Sequence, residues 1–171
     1  MTVVEIQPPT TVPCGAGILT FAEDGRVTVE GPDASATIAI PEIRQGGYVY
    51  LWCGKDWACF LVEDGPTVWC AWPQQGRLEK VGDLNRLDLR GKYDPGGLHH
   101  VDFQTLPNGD LLILHELGLA RLTPQGKLVW QRTHNQFPGS LKRLEANAAW
   151  LQGEEELFGF RLDDGASLPA P

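Results

Sequence analysis

The sequence predicts an all-β protein built from antiparallel four-stranded meanders, and three observations predict it. Short turns of the form x-(Asp/Asn/Gln)-Gly recur, with their glycines at 25, 65, 109, 126 and 165. The runs between them are of strand length and either alternate apolar with polar residues or are apolar throughout. Composition agrees: 20 glycines and 13 prolines against a single methionine suit turn-rich sheets better than helices. The intervals from Gly25 to Gly65, Gly65 to Gly109 and Gly126 to Gly165 are 40, 44 and 39 residues, the length of one four-stranded unit. The 171 residues therefore read as a single β-repeat domain, with units at about 17–40, 47–82, 98–132 and 141–165.

Taken in order, residues 3–6 (Val-Val-Glu-Ile) are a short apolar run, followed by a proline-broken segment to residue 16. Strands are expected at 17–22 and 26–30 around Glu23-Asp24-Gly25, and Arg26-Val27-Thr28-Val29-Glu30 alternates as a half-buried strand does. Gly31-Pro32-Asp33 breaks the chain before a strand at 35–40, and 41–47 is a loop. Residues 47–53, GYVYLWC, form one strand with Tyr48, Tyr50 and Trp52 on one side and Val49, Leu51 and Cys53 on the other. Strands at 57–62, 67–72 and 77–81 complete this meander through the Glu63-Asp64-Gly65 and Pro73-Gln74-Gln75-Gly76 turns. A further short strand is expected at 85–90, and 93–97 is a loop.

Residues 99–132 state the fold most clearly. Leu106-Pro107-Asn108-Gly109-Asp110 and Thr123-Pro124-Gln125-Gly126-Lys127 share one turn grammar. Proline pre-sets φ, Asn or Gln follows, and glycine takes the left-handed conformation without a Cβ clash, giving a three-residue loop that closes in a bulge. The flanking strands are 101–106, 110–116, 118–123 and 127–132, and the unalternating Leu111-Leu112-Ile113-Leu114 predicts burial on both faces. Further strands are expected at 141–144, 148–151 and 156–162, with Glu154-Glu155-Glu156 a solvated turn and Asp163-Asp164-Gly165 the last copy of the glycine turn. That unit shows three strands, and 3–6 is expected to supply its fourth.

The stretch HHVDFQTLPNGDLLILHELGLARLTPQGKLVWQR resembles a blade of the PQQ-like and arylsulfotransferase-like β-propeller repeats. In those repeats a histidine and an aspartate precede a Leu-Pro-Asn-Gly turn, and a Gly-Lys-Leu-Val-Trp strand closes the blade. The likeness covers 99–132 closely and 157–165 loosely. It implies a small, about four-bladed propeller-like arrangement; a twisted β-sandwich or open barrel of the same meanders is the alternative. In arylsulfotransferase-like enzymes channel histidines transfer a sulfuryl group, so the resemblance implies His99 or His100 as the catalytic candidate.

A net charge of -8 with scattered acidic residues argues against nucleic acid or an anionic membrane as partner, and Arg86, Arg90 and Lys92 are too few for a nucleic-acid site. No run of 18 apolar residues exists, so no helical span is expected. The first residues lack a basic start and a sustained apolar core, so a cytoplasmic location is expected. Cys14, Cys53, Cys59 and Cys70 form no CxxC and no zinc spacing, and are expected as reduced, buried thiols. A two-residue loop would set Cys59 opposite Cys70. Pro66, with no N–H to give the ladder, opposes that register, so Ala58 opposite Cys70 is expected instead.

Ionisable side chains gather in one place: His99, His100 and His115 with Asp102 and Glu116. A three-residue loop at Pro107-Asn108-Gly109 sets His100 opposite Glu116 and Val101 opposite His115; a two-residue register would set Asp102 opposite His115. Either faces a carboxylate with an imidazole, a pair that stabilises a sheet and that in other settings serves a metal or a general base. Tyr48, Tyr50, Trp52, Trp57, Trp69 and Trp72 suit either core packing or a stacking platform.

The resulting expectation is a non-enzymatic binding module taking a protein partner or small ligand at a loop rim, with the loops at 91–100 and 134–139 foremost. Its binding candidates are His100, Asp102, His115, Glu116, Tyr48, Tyr50 and Trp52. No cofactor is expected; a divalent metal at His100, His115 and Glu116 is the lesser reading. The rival functions are a small metal-dependent or transferase-like enzyme using His99, His100 and His115, and a self-assembling subunit that completes a larger propeller as a homo-oligomer.

Overall fold

Three hairpins carry the same pair of main-chain hydrogen bonds, and they set the architecture. Ala22, Leu106 and Thr123 each donate N–H to the carbonyl four residues on, at 2.8, 2.8 and 2.9 Å, and each accepts the N–H of Gly25, Gly109 or Gly126. Those glycines sit at φ of 82, 88 and 80°. The Asp/Asn preference in the turns has a direct cause: the side-chain oxygen accepts the N–H two residues on. Asp24 does so from Arg26, Asn108 from Asp110 and Asp164 from Ala166. The Arg161 guanidinium beside Asp164, helped by the Ala166 N–H, holds its carboxyl down to about 2.

The computed structural model describes residues 4–43, 47–63, 65–84, 100–116, 118–134, 140–153 and 156–169. The expected strand at 85–90, the loop at 91–99 with His99, and residues 135–139, 154 and 155 lie outside them, as do Val3 and Asp64. The chain divides into two units, Met1–Asp83 and Leu84–Pro171.

The first unit holds two antiparallel sheets. One is the meander of β2 (Thr10–Cys14), β3 (Gly17–Phe21), β4 (Arg26–Glu30) and β5 (Ser35–Ala39). The other combines β1 (Val4–Ile6) with β6 (Val49–Cys53), β7 (Ala58–Val62), β8 (Thr67–Trp72) and β9 (Arg77–Asp83), in the order β1-β6-β7-β8-β9. Strand alternation aims Leu19, Phe21, Val27 and Val29 from the first sheet and Val49, Leu51, Ala58 and Phe60 from the second into one core. Phe21 meets Phe60 edge to face at 5.1 Å. The outer face of the first sheet carries a row of threonines: Thr11 pairs with Thr20, Thr20 with Thr28 and Thr28 with Thr37. Two hydroxyl contacts, Thr11–Thr20 at 3.3 Å and Thr28–Thr37 at 2.9 Å, reinforce it.

The second unit holds the meander β10 (Val101–Thr105), β11 (Leu111–His115), β12 (Gly118–Leu122) and β13 (Leu128–Thr133), and the meander β14 (Ser140–Leu144), β15 (Ala148–Gln152), β16 (Leu157–Arg161) and β17 (Ser167–Leu168). Leu112, Leu114 and Leu119 pack with Ala149, Leu151 and Phe160 between these two sheets. As the unalternating run predicts, every residue of β11 is buried. Arg121 ties the sheets together, reaching Asp110 at 2.6 Å and the Leu162 carbonyl at 2.7 Å; the Trp130 indole N–H donates to the same carbonyl at 2.7 Å.

Four expectations need correction. The run at 3–6 does not complete the last unit: Val4–Ile6 pairs with β6, Ile6 entering the first core while Glu5 stays exposed, and the missing strand is Ser167–Leu168, folded back on β16. The first sheet starts at Thr10 rather than residue 17, because the proline-broken segment still pairs as β2, Pro13 opposite Ile18. Cys59 lies directly opposite Cys70. The ladder stops short of Pro66, with the Gly65 N–H on the Val62 carbonyl at 3.0 Å, so a longer loop restores the register that the proline had argued against. The turn at Gly165 is one residue longer than its relatives, Arg161 N–H reaching the Ala166 carbonyl at 2.8 Å.

Gly109→Ala tests the turn chemistry. An added methyl finds open space, its nearest neighbour being Pro124 at 3.8 Å, so the cost is the left-handed backbone alone. A loss of about 1–2 kcal/mol is expected by urea titration with an unchanged m-value.

Candidate functional site

The hairpin β10–β11 adopts the three-residue register, with Val101 opposite His115 and Asp102 opposite Leu114. One step outward, Glu116 reaches across and its Oε1 accepts the His100 main-chain N–H at 2.6 Å. Glu116 and His115 are buried, at 9% and 3% exposure, whereas His100 is exposed. Asp102 turns back on its own strand and accepts the Phe103 N–H at 2.8 Å. The carboxylates of this cluster thus hold main-chain donors at the end of the hairpin. Among the described residues no three His, Cys, Asp or Glu side chains converge as a metal ion requires, and His99 lies outside those residues.

The aromatic candidates separate by depth. Tyr48 is 38% exposed, but Tyr50 and Trp52 are buried at 3% and 4%. Trp52 packs on Trp57 at 4.8 Å, and the Arg77 guanidinium stacks 3.7 Å above the Trp72 ring. Tyr50 and Trp52 are therefore packing residues and form no exposed platform for stacking.

A concave feature lies elsewhere, in the second unit. A cavity of about 210 Å³ is lined by Thr133, His134, Glu156, Phe158, Phe160 and Ser167. Residues 158 and 160 are two apart on β16, so alternation places both rings on one face; they meet edge to face at 5.9 Å. His134, just past β13, sets its imidazole at 5.0 Å and 60° from the Phe158 ring. The residues lining the cavity thus include two phenylalanines, a histidine, a glutamate, a threonine and a serine. In the sequence, His134 reads only as the first residue of a loop and Phe158 and Phe160 only as strand residues. The Phe-Gly-Phe spacing was the available signal; the pairing of β16 with β17, which brings Ser167 to the cavity, was not visible.

No helix among the described residues is long and apolar enough to cross a membrane, which says nothing of a β-barrel. No family model matches the chain, and no curated protein does. Among solved structures it is similar to the computationally designed protein Ika8, at 13% identity and a TM-score of 0.49 over 94% of this chain and 48% of that one. It is also similar to PorZ, described as an essential bacterial surface component of the type-IX secretion system of Porphyromonas gingivalis, at 19% identity and a TM-score of 0.49 over 92% of this chain and 20% of that one. The chain spans about half the length of the first and a fifth of the second.

Proposed function

We propose that this chain is a non-enzymatic β-repeat binding module, its meanders set as blades in a propeller-like arrangement, that takes a small ligand in the cavity beside His134. The observation that carries the reading is the cavity itself, a concave wall on which aromatic and polar residues meet. In the hairpin cluster, Glu116 holds the His100 main-chain N–H across the hairpin and Asp102 holds that of Phe103 on its own strand. In the cavity, His134 and Glu156 share a concave wall with Phe158 and Phe160. Aromatic rings with a few convergent polar groups are the usual makings of a small-molecule site. A cytoplasmic location belongs to the same reading, supported by four cysteines that are all unbridged.

The test is a screen of aromatic and heteroaromatic fragments of roughly ten heavy atoms, a size set by ligand-efficiency limits, followed by amide NMR of the intact chain. Binders are expected to shift the amides of Thr133, Phe158 and Ser167 together, and to lose at least tenfold in affinity against Phe158→Ala. Shifts scattered over the sheets, or unchanged binding by the variant, would refute the site.

A further inference from the structure

Cys14 ends β2 and Cys53 ends β6, so they lie in different sheets of the first unit. Alternation turns both inward. Cys53 follows Val49 and Leu51 into the core, and Cys14 follows Val12 into the same core. Cys14 is 1% exposed, whereas Cys53 is partly open to solvent. The turns that follow them touch. Gly15, at φ 60°, lies so close to the next sheet's turn that a Cβ there would stand 2.2 Å from the Lys55 carbonyl oxygen and 3.7 Å from that of Gly54. Backbone contact at the adjoining residues brings the two thiols face to face, and an S–H···S hydrogen bond joins them. Cys59 and Cys70 also face each other, across β7 and β8, but both are fully buried.

We propose that Cys14 and Cys53 are an oxidation site: a small hydroperoxide converts the pair to a reversible disulfide that staples the two sheets of the first unit. The shared hydrogen bond stabilises a single thiolate on the pair, drawing the Cys14 thiol down as the Cys53 S–H donates to it and pushing the Cys53 thiol up. Cys53, the more exposed residue, is the one that peroxide reaches, and its proton passes along that bond to the Cys14 thiolate as its own sulfur becomes the attacking thiolate. The thiolate sulfur attacks one peroxide oxygen, the O–O bond breaks, and the departing hydroxide takes a proton to become water, leaving a sulfenic acid. The second sulfur then attacks the sulfenic sulfur. The S–O bond breaks, the hydroxyl leaves as a second water with the remaining thiol proton, and the S–S bond forms. Two electrons pass from the thiols to hydrogen peroxide, which becomes two waters. The staple closes a loop of about forty residues in the unfolded chain, which is expected to raise the melting temperature by roughly 10 °C or more.

Trypsin separates the pairs, since cleavage after Arg26, Arg44, Lys55 and Arg77 leaves Cys14 and Cys53 on different peptides and Cys59 with Cys70 on a third. The folded full chain is treated with a few equivalents of hydrogen peroxide, quenched, denatured, alkylated and digested. The expected product is lighter by about 2 Da, as two hydrogens are lost, contains a Cys14–Cys53 linked peptide, keeps Cys59 and Cys70 alkylated, and reverts with a dithiol reductant. Cys14→Ser is expected to yield no linked peptide and a sulfenic acid on Cys53 that a dimedone probe captures. Should that variant fail to fold, the double variant Cys59→Ala and Cys70→Ala, which retains the pair, is expected to lose the same two hydrogens. Full alkylation of all four cysteines after oxidation, a Cys59–Cys70 linkage in place of Cys14–Cys53, or an unreactive double variant would overturn the proposal.

Discussion

Phe60→Ala is expected to lower the stability of the first unit by about 3–5 kcal/mol, the range for emptying a buried aromatic site. Phe60 has no solvent exposure, meets Phe21 edge to face at 5.1 Å and stacks on Trp69 at 6.4 Å with an 11° interplanar angle. It stands at the middle of β7, a strand on which every residue is buried, so no neighbour can swing in from solvent to fill the gap. A domain of this size holds only about 5–15 kcal/mol in all. The melting temperature should therefore fall by on the order of 15–30 °C, followed by near-ultraviolet circular dichroism. Phe60→Leu, which keeps most of the volume, should cost less than half as much. A shift under about 5 °C for the alanine variant would mean that the two sheets do not depend on this contact.

The second large effect belongs to Arg121. Its guanidinium sits 2.6 Å from Asp110, with side-chain exposures of 15% and 9%, and bonds the Leu162 carbonyl of the neighbouring sheet. Arg121→Ala leaves the Asp110 carboxylate buried with the Asn108 amide donating to it at 3.1 Å and its charge unpaired. Breaking such a pair from one side costs about 3–5 kcal/mol. The double variant Asp110→Ala with Arg121→Ala should be less damaging than the sum of the single changes, because the second substitution removes a charge that the first had stranded. Denaturant unfolding of all four proteins measures the coupling. Strict additivity would show that the pair does not act as a unit. Trp130 still donates to Leu162 in every variant, so the sheet contact is weakened rather than abolished.

The two sites show what the sequence makes legible. The glycine hairpins are written locally: proline, an amide or carboxylate, then glycine fix a turn within five residues, and register follows by counting outward. That reasoning places Val101 opposite His115 because every step of it is local. It fails at Cys59 and Cys70, because the chain leaves the ladder before reaching Pro66 and the missing proline N–H costs nothing there. It is silent on β1, whose partner β6 begins 43 residues after Ile6, and on β17, which is too short to carry a period. The threonine row was in plain view at 11, 20, 28 and 37, but its meaning required three registers at once. The candidate cavity was the least legible feature, since its walls come from β13, β16 and β17 and no single stretch of chain describes it.

The pairing of β1 with β6 has a consequence for solubility. β6 reads Val-Tyr-Leu-Trp-Cys, and its first four residues are buried, so its outer edge would be an apolar strand with unpaired N–H and C=O groups. An exposed edge of that kind invites a second chain to extend the sheet. Three residues from the start of the described chain occupy it, and they bring a charge, Glu5, to the outside opposite Tyr50. The short strand β1 therefore works as a guard on the apolar edge of β6, and fusions or truncations that displace it are expected to increase association between chains, read by light scattering.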